Sequence, residues 1–268
     1  MKNTTKYWLF AFIIFILASC SEYQKVLNSD DFNLKLETAN ELYENEQFTK
    51  ALPLYEELRR IFLGQDQMKT ILFNMAYCEF NTDQFFLAAY HFKQFYESYP
   101  YSKNAEESLF MHCKCLHTTS PKSSLDQSSS QKAINALEQF TNAFPESEHV
   151  DECNALIDEM RVKIEFKAYT TANIYYKIQD YKAAVWALGN FTREFPGSNY
   201  EEDARFLMIE SSFKFAENSV RKKQEERFVE TVDYFKEFKK RFPNSQYMEK
   251  AKEYSDIAKQ ELNNIQNN

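Results

Sequence analysis

The stretch Ala184-Val185-Trp186-Ala187-Leu188-Gly189-Asn190-Phe191-Thr192-Arg193-Glu194-Phe195-Pro196-Gly197-Ser198 decides the fold. Ala184, Leu188 and Phe191 follow one another at offsets of four and three residues, which places them on one stripe of a helix. Phe195-Pro196 ends that helix, because proline disfavours helical backbone at the residue before it. Ser198 then stands where it can cap the next helix, and Glu201, Glu202 and Asp203 fall in the first turn, where the helix dipole favours acids. Glu201 sits at the capping-box distance from Ser198.

The same arrangement recurs around Tyr99-Pro100, Phe144-Pro145 and Phe242-Pro243. Two residues after each proline comes Ser102, Ser147, Ser198 or Ser245. Five before each stands Phe95, Phe140, Phe191 or Phe238, and eight before stands Phe92, Leu137, Leu188 or Phe235. Twelve before stands Ala88, Ala133, Ala184 or Thr231, and eight after stands Ser108, Cys153, Ala204 or Ala251. The small residues admit a neighbouring helix and the aromatics fill the space beside it. An earlier copy, Phe48, Ala51, Tyr55, Leu58 and Phe62, keeps the spacing without its terminal proline and carries Pro53 inside the helix. The fold class is therefore all-α, with about five helix-pair repeats.

Composition agrees. Only three of 268 residues are glycine, against roughly 7% in an average protein, whereas 25 Phe, 17 Tyr and 2 Trp are present. So few glycines exclude Gly-rich nucleotide loops and hairpin-rich β-barrels. A net charge of −8 excludes the basic face that nucleic-acid binding needs.

Proline-to-proline distances of 45, 51 and 47 exceed the 34-residue tetratricopeptide standard, so insertions lie inside the repeats. Residues 118–130, rich in Ser, Thr and Pro, read as a loop. Residues 219–226 read as a charged connection or helix extension. His149 to Asp180 has no breaker and reads as one helix of about 30 residues. Residues 261–268, rich in Asn and Gln, read as a fraying tail.

The first residues read as an address. Lys2 and Lys6 precede an unbroken apolar run from Tyr7 to Ala18. Twelve helical residues rise about 18 Å, too short for a hydrocarbon core of about 30 Å but suited to a signal peptide. Leu17-Ala18-Ser19-Cys20 resembles the bacterial lipobox, with Leu17, Ala18 and Ser19 read by the signal peptidase and Cys20 the lipid attachment site. The chain thus divides into a signal peptide (1–19), a lipidated linker (20–30), a repeat domain (31–260) and a flexible tail (261–268). Ser21 does not look like an inner-membrane retention signal, so the expected place is the outer membrane, facing the periplasm.

No nucleophile–base constellation is present. His91, His112, His117 and His149 have no Ser or Cys motif around them. Cys113 and His117 are four residues apart, but two further metal ligands are missing. Cys78, Cys113, Cys115 and Cys153 fall in apolar helical patterns and read as buried thiols. The expectation is a binding protein with no enzyme activity, cofactor, metal or nucleic-acid partner.

The repeat pattern resembles the tetratricopeptide repeat, whose paired helices stack into a superhelical α-α solenoid. Leu125-Asp126-Gln127 before Ala133, and the series Glu165, Tyr175-Tyr176, Asp180-Tyr181, Ala183-Ala184 and Phe195-Pro196, together with the lipobox, resemble the BamD/YfiO family. That resemblance implies a non-catalytic lipoprotein of the outer-membrane β-barrel assembly machinery. It implies docking on the periplasmic domains of the barrel insertase (a BamA-like subunit) through the C-terminal repeats. It also implies reception of unfolded outer-membrane proteins by the N-terminal repeats, with accessory lipoproteins as further partners. An adaptor for cell-envelope or cell-wall processes is the alternative. Residues 21–47 show no sustained heptad, which counts against an envelope coordinator with an N-terminal coiled coil.

Overall fold

The computed structural model describes residues 23–267; Leu17, Ala18, Ser19 and Cys20 lie outside that range. A short helix, α1, covers residues 23–27. It is followed by α2 (Phe32–Glu44), α3 (Phe48–Ile61), α4 (Met68–Asn81), α5 (Phe85–Ser98), α6 (Ala105–Thr118) and α7 (Ser128–Ala143). Then come α8 (Val150–Lys177), α9 (Tyr181–Glu194), α10 (Glu201–Glu217), α11 (Arg221–Arg241) and α12 (Met248–Gln266). No strand occurs among the described residues. Successive helices pack on one another as consecutive pairs, the packing of a tetratricopeptide-like solenoid. The pairs are α2/α3, α4/α5, α6/α7, α8/α9 and α10/α11, and α12 packs on the last.

The chain forms two compact units: Met1–Ser120 with Lys132–Ile157, and Pro121–Gln131 with Asp158–Asn268. In the first, Ala51, Leu54, Tyr55, Leu58, Ile71 and Phe95 are buried in one cluster, and Phe110 of α6 meets Phe140 of α7 at 5.6 Å. In the second, Ala172, Ala184, Leu188, Phe191, Ala204 and Met208 form the α8–α9–α10 core. The helical-stripe positions read from the spacing, twelve, eight and five before each proline and eight after it, are all buried from Ala88 to Ala251, whereas the joint aromatics are half-buried and the prolines exposed.

The four joints share one hydrogen-bonding scheme. The aromatic before each proline donates its N–H to the phenylalanine four residues back: Tyr99 to Phe95, Phe144 to Phe140, Phe195 to Phe191 and Phe242 to Phe238. Each serine N–H closes a turn on that aromatic's carbonyl. Each serine hydroxyl accepts from the N–H two residues on, at Asn104, His149, Tyr200 and Tyr247, over 3.0 to 3.3 Å. This corrects the capping role expected of Ser198. The α10 N-cap is Tyr200, without a side-chain bond, because the serine hydroxyl is spent in its own turn ahead of the helix. Glu201 nevertheless reaches back, accepting the Gly197 N–H at 2.7 Å. Gly197 has a φ of +85°, which suits the third position of a Pro-Gly turn.

Within the pairs, the turns use a different device. Glu46, Asp83 and Gln179 all adopt left-handed backbone, with φ of 57°, 61° and 64°. Each N–H bonds the carbonyl three residues back, and the next N–H bonds five back: Gln47 to Leu42, Gln84 to Glu79, Asp180 to Tyr175. This is the Schellman closure, normally a glycine position. Asp180 then caps α9 through the Ala183 N–H at 3.1 Å.

The two insertions replace that turn in the third and fifth pairs. The loop is shorter than expected, since α7 already begins at Ser128. Gln127 is buried; its amide donates to the carbonyls of Lys122 and Leu125 and accepts from the Ser130 hydroxyl. The charged connection is a helix extension, with α11 starting at Arg221. The unbroken segment is a single helix of 28 residues, α8. The tail expected from residue 261 is instead helical through Gln266, because Leu262 and Ile265 pack against the Phe213–Phe228 cluster. Pro53 sits on the exposed side of α3, where its ring meets solvent.

Candidate docking clefts

Helix α5 is apolar on more than its core stripe. Ala88, Phe92 and Phe95 point inward, yet Phe86 is 78% exposed and Tyr90 60%. With Leu63 and Leu87, Tyr90 lines a cleft of about 510 Å³ in the first compact unit. Exposed apolar groups gathered in one place mark interaction surfaces. The other wall is cationic: Arg59 and Arg60 in the last turn of α3, where the helix dipole favours them. Neither arginine lies within ion-pair distance of a carboxylate among the described residues. Behind the cleft wall, Arg59 donates from Nη1 to His91 Nε2 at 2.5 Å. An arginine can only donate, so Nε2 is the acceptor and the proton sits on Nδ1, which donates to Glu79 at 2.7 Å. Glu79 is 1% exposed. The Gln94 side-chain carbonyl, also at this cleft, is buried without a partner.

The second compact unit holds a cleft of about 470 Å³ formed by α9, α10 and α11. Trp186, 70% exposed, stands at its rim beside Val185. Gly189 lies on its floor, facing Met208 Sδ. Lys182, Arg193 and Arg205 make one side basic, and Glu230 and Glu237 make the other acidic. Burial and the neighbouring Glu226 push the Glu230 carboxyl above its ordinary value. Arg205 is held by Glu201, Nε to Oε1 at 2.8 Å.

The cysteines lie inside the helices, as their apolar patterns suggest. Cys78, Cys113, Cys115 and Cys153 are buried free thiols. Burial pushes Cys78 and Cys115 up to about 12 and Cys153 up to about 11, with nearby glutamates adding to each. Burial lowers His112, whose Nδ1–H donates to the Ala89 carbonyl at 2.8 Å. His149 stacks on Phe110 with ring centres 3.9 Å apart. No group of His, Cys, Asp and Glu that could hold a metal ion occurs among the described residues, and no helix there is long and apolar enough to cross a membrane. Cys20 and the peptidase positions Leu17 to Ser19 lie outside the described residues. The cleft residues Tyr90, Arg59 and Trp186 occupy no repeat position in the sequence. Their signal was large aromatics standing off the repeat stripe.

Fold and clefts together define a helix-pair repeat protein with an exposed cleft in each compact unit. It belongs to the YfiO family, described as outer membrane lipoprotein, whose model matches residues 34–175 and 163–266. No curated protein matches the chain.

Proposed function

We propose that this protein is a non-catalytic, lipid-anchored scaffold of the outer-membrane β-barrel assembly machinery, attached through Cys20 and facing the periplasm. The first-unit cleft receives unfolded barrel precursors. The second-unit cleft, around Trp186, docks on the periplasmic domains of the barrel insertase. The observation that carries this reading is the coincidence of YfiO-family membership with exposed aromatics beside charge: Tyr90 by unpaired arginines, Trp186 in a cleft with basic and acidic side chains. Unfolded outer-membrane strands alternate apolar and polar side chains, and a cleft with both characters suits them.

The test is recovery of the tagged protein from gently solubilised membranes. Co-purification of an insertase barrel, reduced in Trp186→Ala, is expected. Recovery of a cell-wall enzyme in its place would overturn the reading in favour of an envelope adaptor. Cys20→Ala is expected to abolish acylation and release the protein from the membrane fraction.

A further inference from the structure

We propose that Glu79 and His91 position Arg59 as the anion-binding donor of the first-unit cleft, and that the cleft holds a carboxylate-bearing aromatic peptide only while His91 is neutral. This rests on the reading of that cleft as a receiving surface.

The argument begins with an imbalance. The chain has 40 acids and 32 lysines and arginines, yet Arg59 and Arg60 face the cleft without a carboxylate partner. Arg59 instead spends one N–H on a neutral imidazole nitrogen. That bond fixes the direction of the planar guanidinium and leaves its remaining N–H groups free for a ligand. Glu79 fixes the imidazole in turn, since its buried carboxylate takes the Nδ1 proton and leaves Nε2 as acceptor. Leu63, Leu87 and Tyr90 supply the apolar flank. The ligand that fits is a carboxylate with aromatic neighbours.

A second proton on His91 would sit on Nε2, turning the acceptor into a donor that faces the guanidinium. Arg59 then loses its anchor and meets a like charge. Around this trio the other titratable groups are Arg60 on α3, Cys78 on α4, Tyr90 on α5, and Cys115 and His112 on α6. None of these replaces the acceptor.

The test uses the full chain in detergent and a labelled, N-acetylated Phe-Glu-Phe-Glu-Phe amide, with its Phe-Gln-Phe-Gln-Phe counterpart as control. Anisotropy is read at about pH 8 and about pH 5.5, where the glutamates stay largely ionised. The wild type is expected to prefer the acidic peptide by about tenfold at the higher pH and to lose that preference at the lower. Arg59→Gln should lose the preference at both. His91→Gln, whose amide can donate to Glu79 and accept from Arg59, should keep it at both. Equal pH dependence in His91→Gln and wild type, or an undiminished preference in Arg59→Gln, would overturn the proposal while leaving the cleft reading intact. Failure of the wild type to bind either peptide would remove the cleft reading and the proposal with it. Arg59→Gln, at a half-exposed position, remains decisive even where His91→Gln loses its fold.

Discussion

Glu201, the first residue of α10, accepts the backbone N–H of Gly197 at 2.7 Å and the guanidinium of Arg205 at 2.8 Å while being 2% exposed. Arg241, from the end of α11, reaches the same carboxylate at 3.3 Å. One acid therefore ties a turn and two helices of the second compact unit. Burial opposes its ionisation, but the Gly197 N–H and the two guanidinium groups outweigh that and hold the carboxyl below its ordinary value of 4.5. A depressed carboxyl stabilises the fold above its unfolded pKa and loses that contribution as pH falls through the folded value. Glu201→Gln is expected to cost about 2 kcal/mol near neutral pH. The gap from wild type should narrow below about pH 4.5 in denaturant titrations across that range. A constant gap would show that Glu201 acts by shape alone.

Glu46, Asp83 and Gln179 occupy left-handed turns that glycine fills at less strain. Gln179→Gly is expected to raise stability by about 1 kcal/mol, since the native φ penalises a Cβ and the side chain is exposed. Thermal unfolding of Gln179→Gly, with Glu46→Gly and Asp83→Gly alongside, checks this. A lowered midpoint in all three would mean that the turns do not limit stability.

The four buried thiols should be inert in the folded protein. Cys78 and Cys115, pushed up to about 12, have almost no thiolate at about pH 8. A thiol reagent is expected to label them only after denaturant is added. Rapid labelling of the native protein would place at least one thiol on the surface.

Trp186 stands clear of the repeat stripe, so its removal should separate binding from stability. Trp186→Ala is expected to shift unfolding free energy by no more than about 0.5 kcal/mol. It should weaken partner capture by about tenfold or more, as exposed tryptophans that anchor interfaces do. Stability loss without loss of capture would assign Trp186 to packing.

Much of the fold could be read from spacing because burial repeats with it. Ala88, Phe92 and Phe95 are three and four residues apart because one helical face meets the next helix, and proline marks where that face must end. The left-handed turns escaped notice because Glu46, Asp83 and Gln179 violate local preference, and only the closure of their hydrogen bonds shows why the backbone bends there. The clefts were less legible still. Arg59, Glu79 and His91 lie on three helices, so nothing in their spacing announces that a guanidinium, an imidazole and a carboxylate form one chain of hydrogen bonds. The spacing points to Ser198 as a cap two residues ahead of the true N-cap, Tyr200, because a serine that closes its own turn and one that caps a helix look alike in sequence.

The four Phe/Tyr-Pro joints each complete their hydrogen bonds within a few residues of the proline. Nothing in a joint depends on how many residues separate it from the next. A repeat can lengthen, as α11 does through residues 221–226, without altering the hinge chemistry at either end. The joint thus behaves as a standard coupling between parts of unequal length. Length differences between repeats fall in the turns inside each pair, where the third and fifth pairs carry their insertions, while the couplings keep one form.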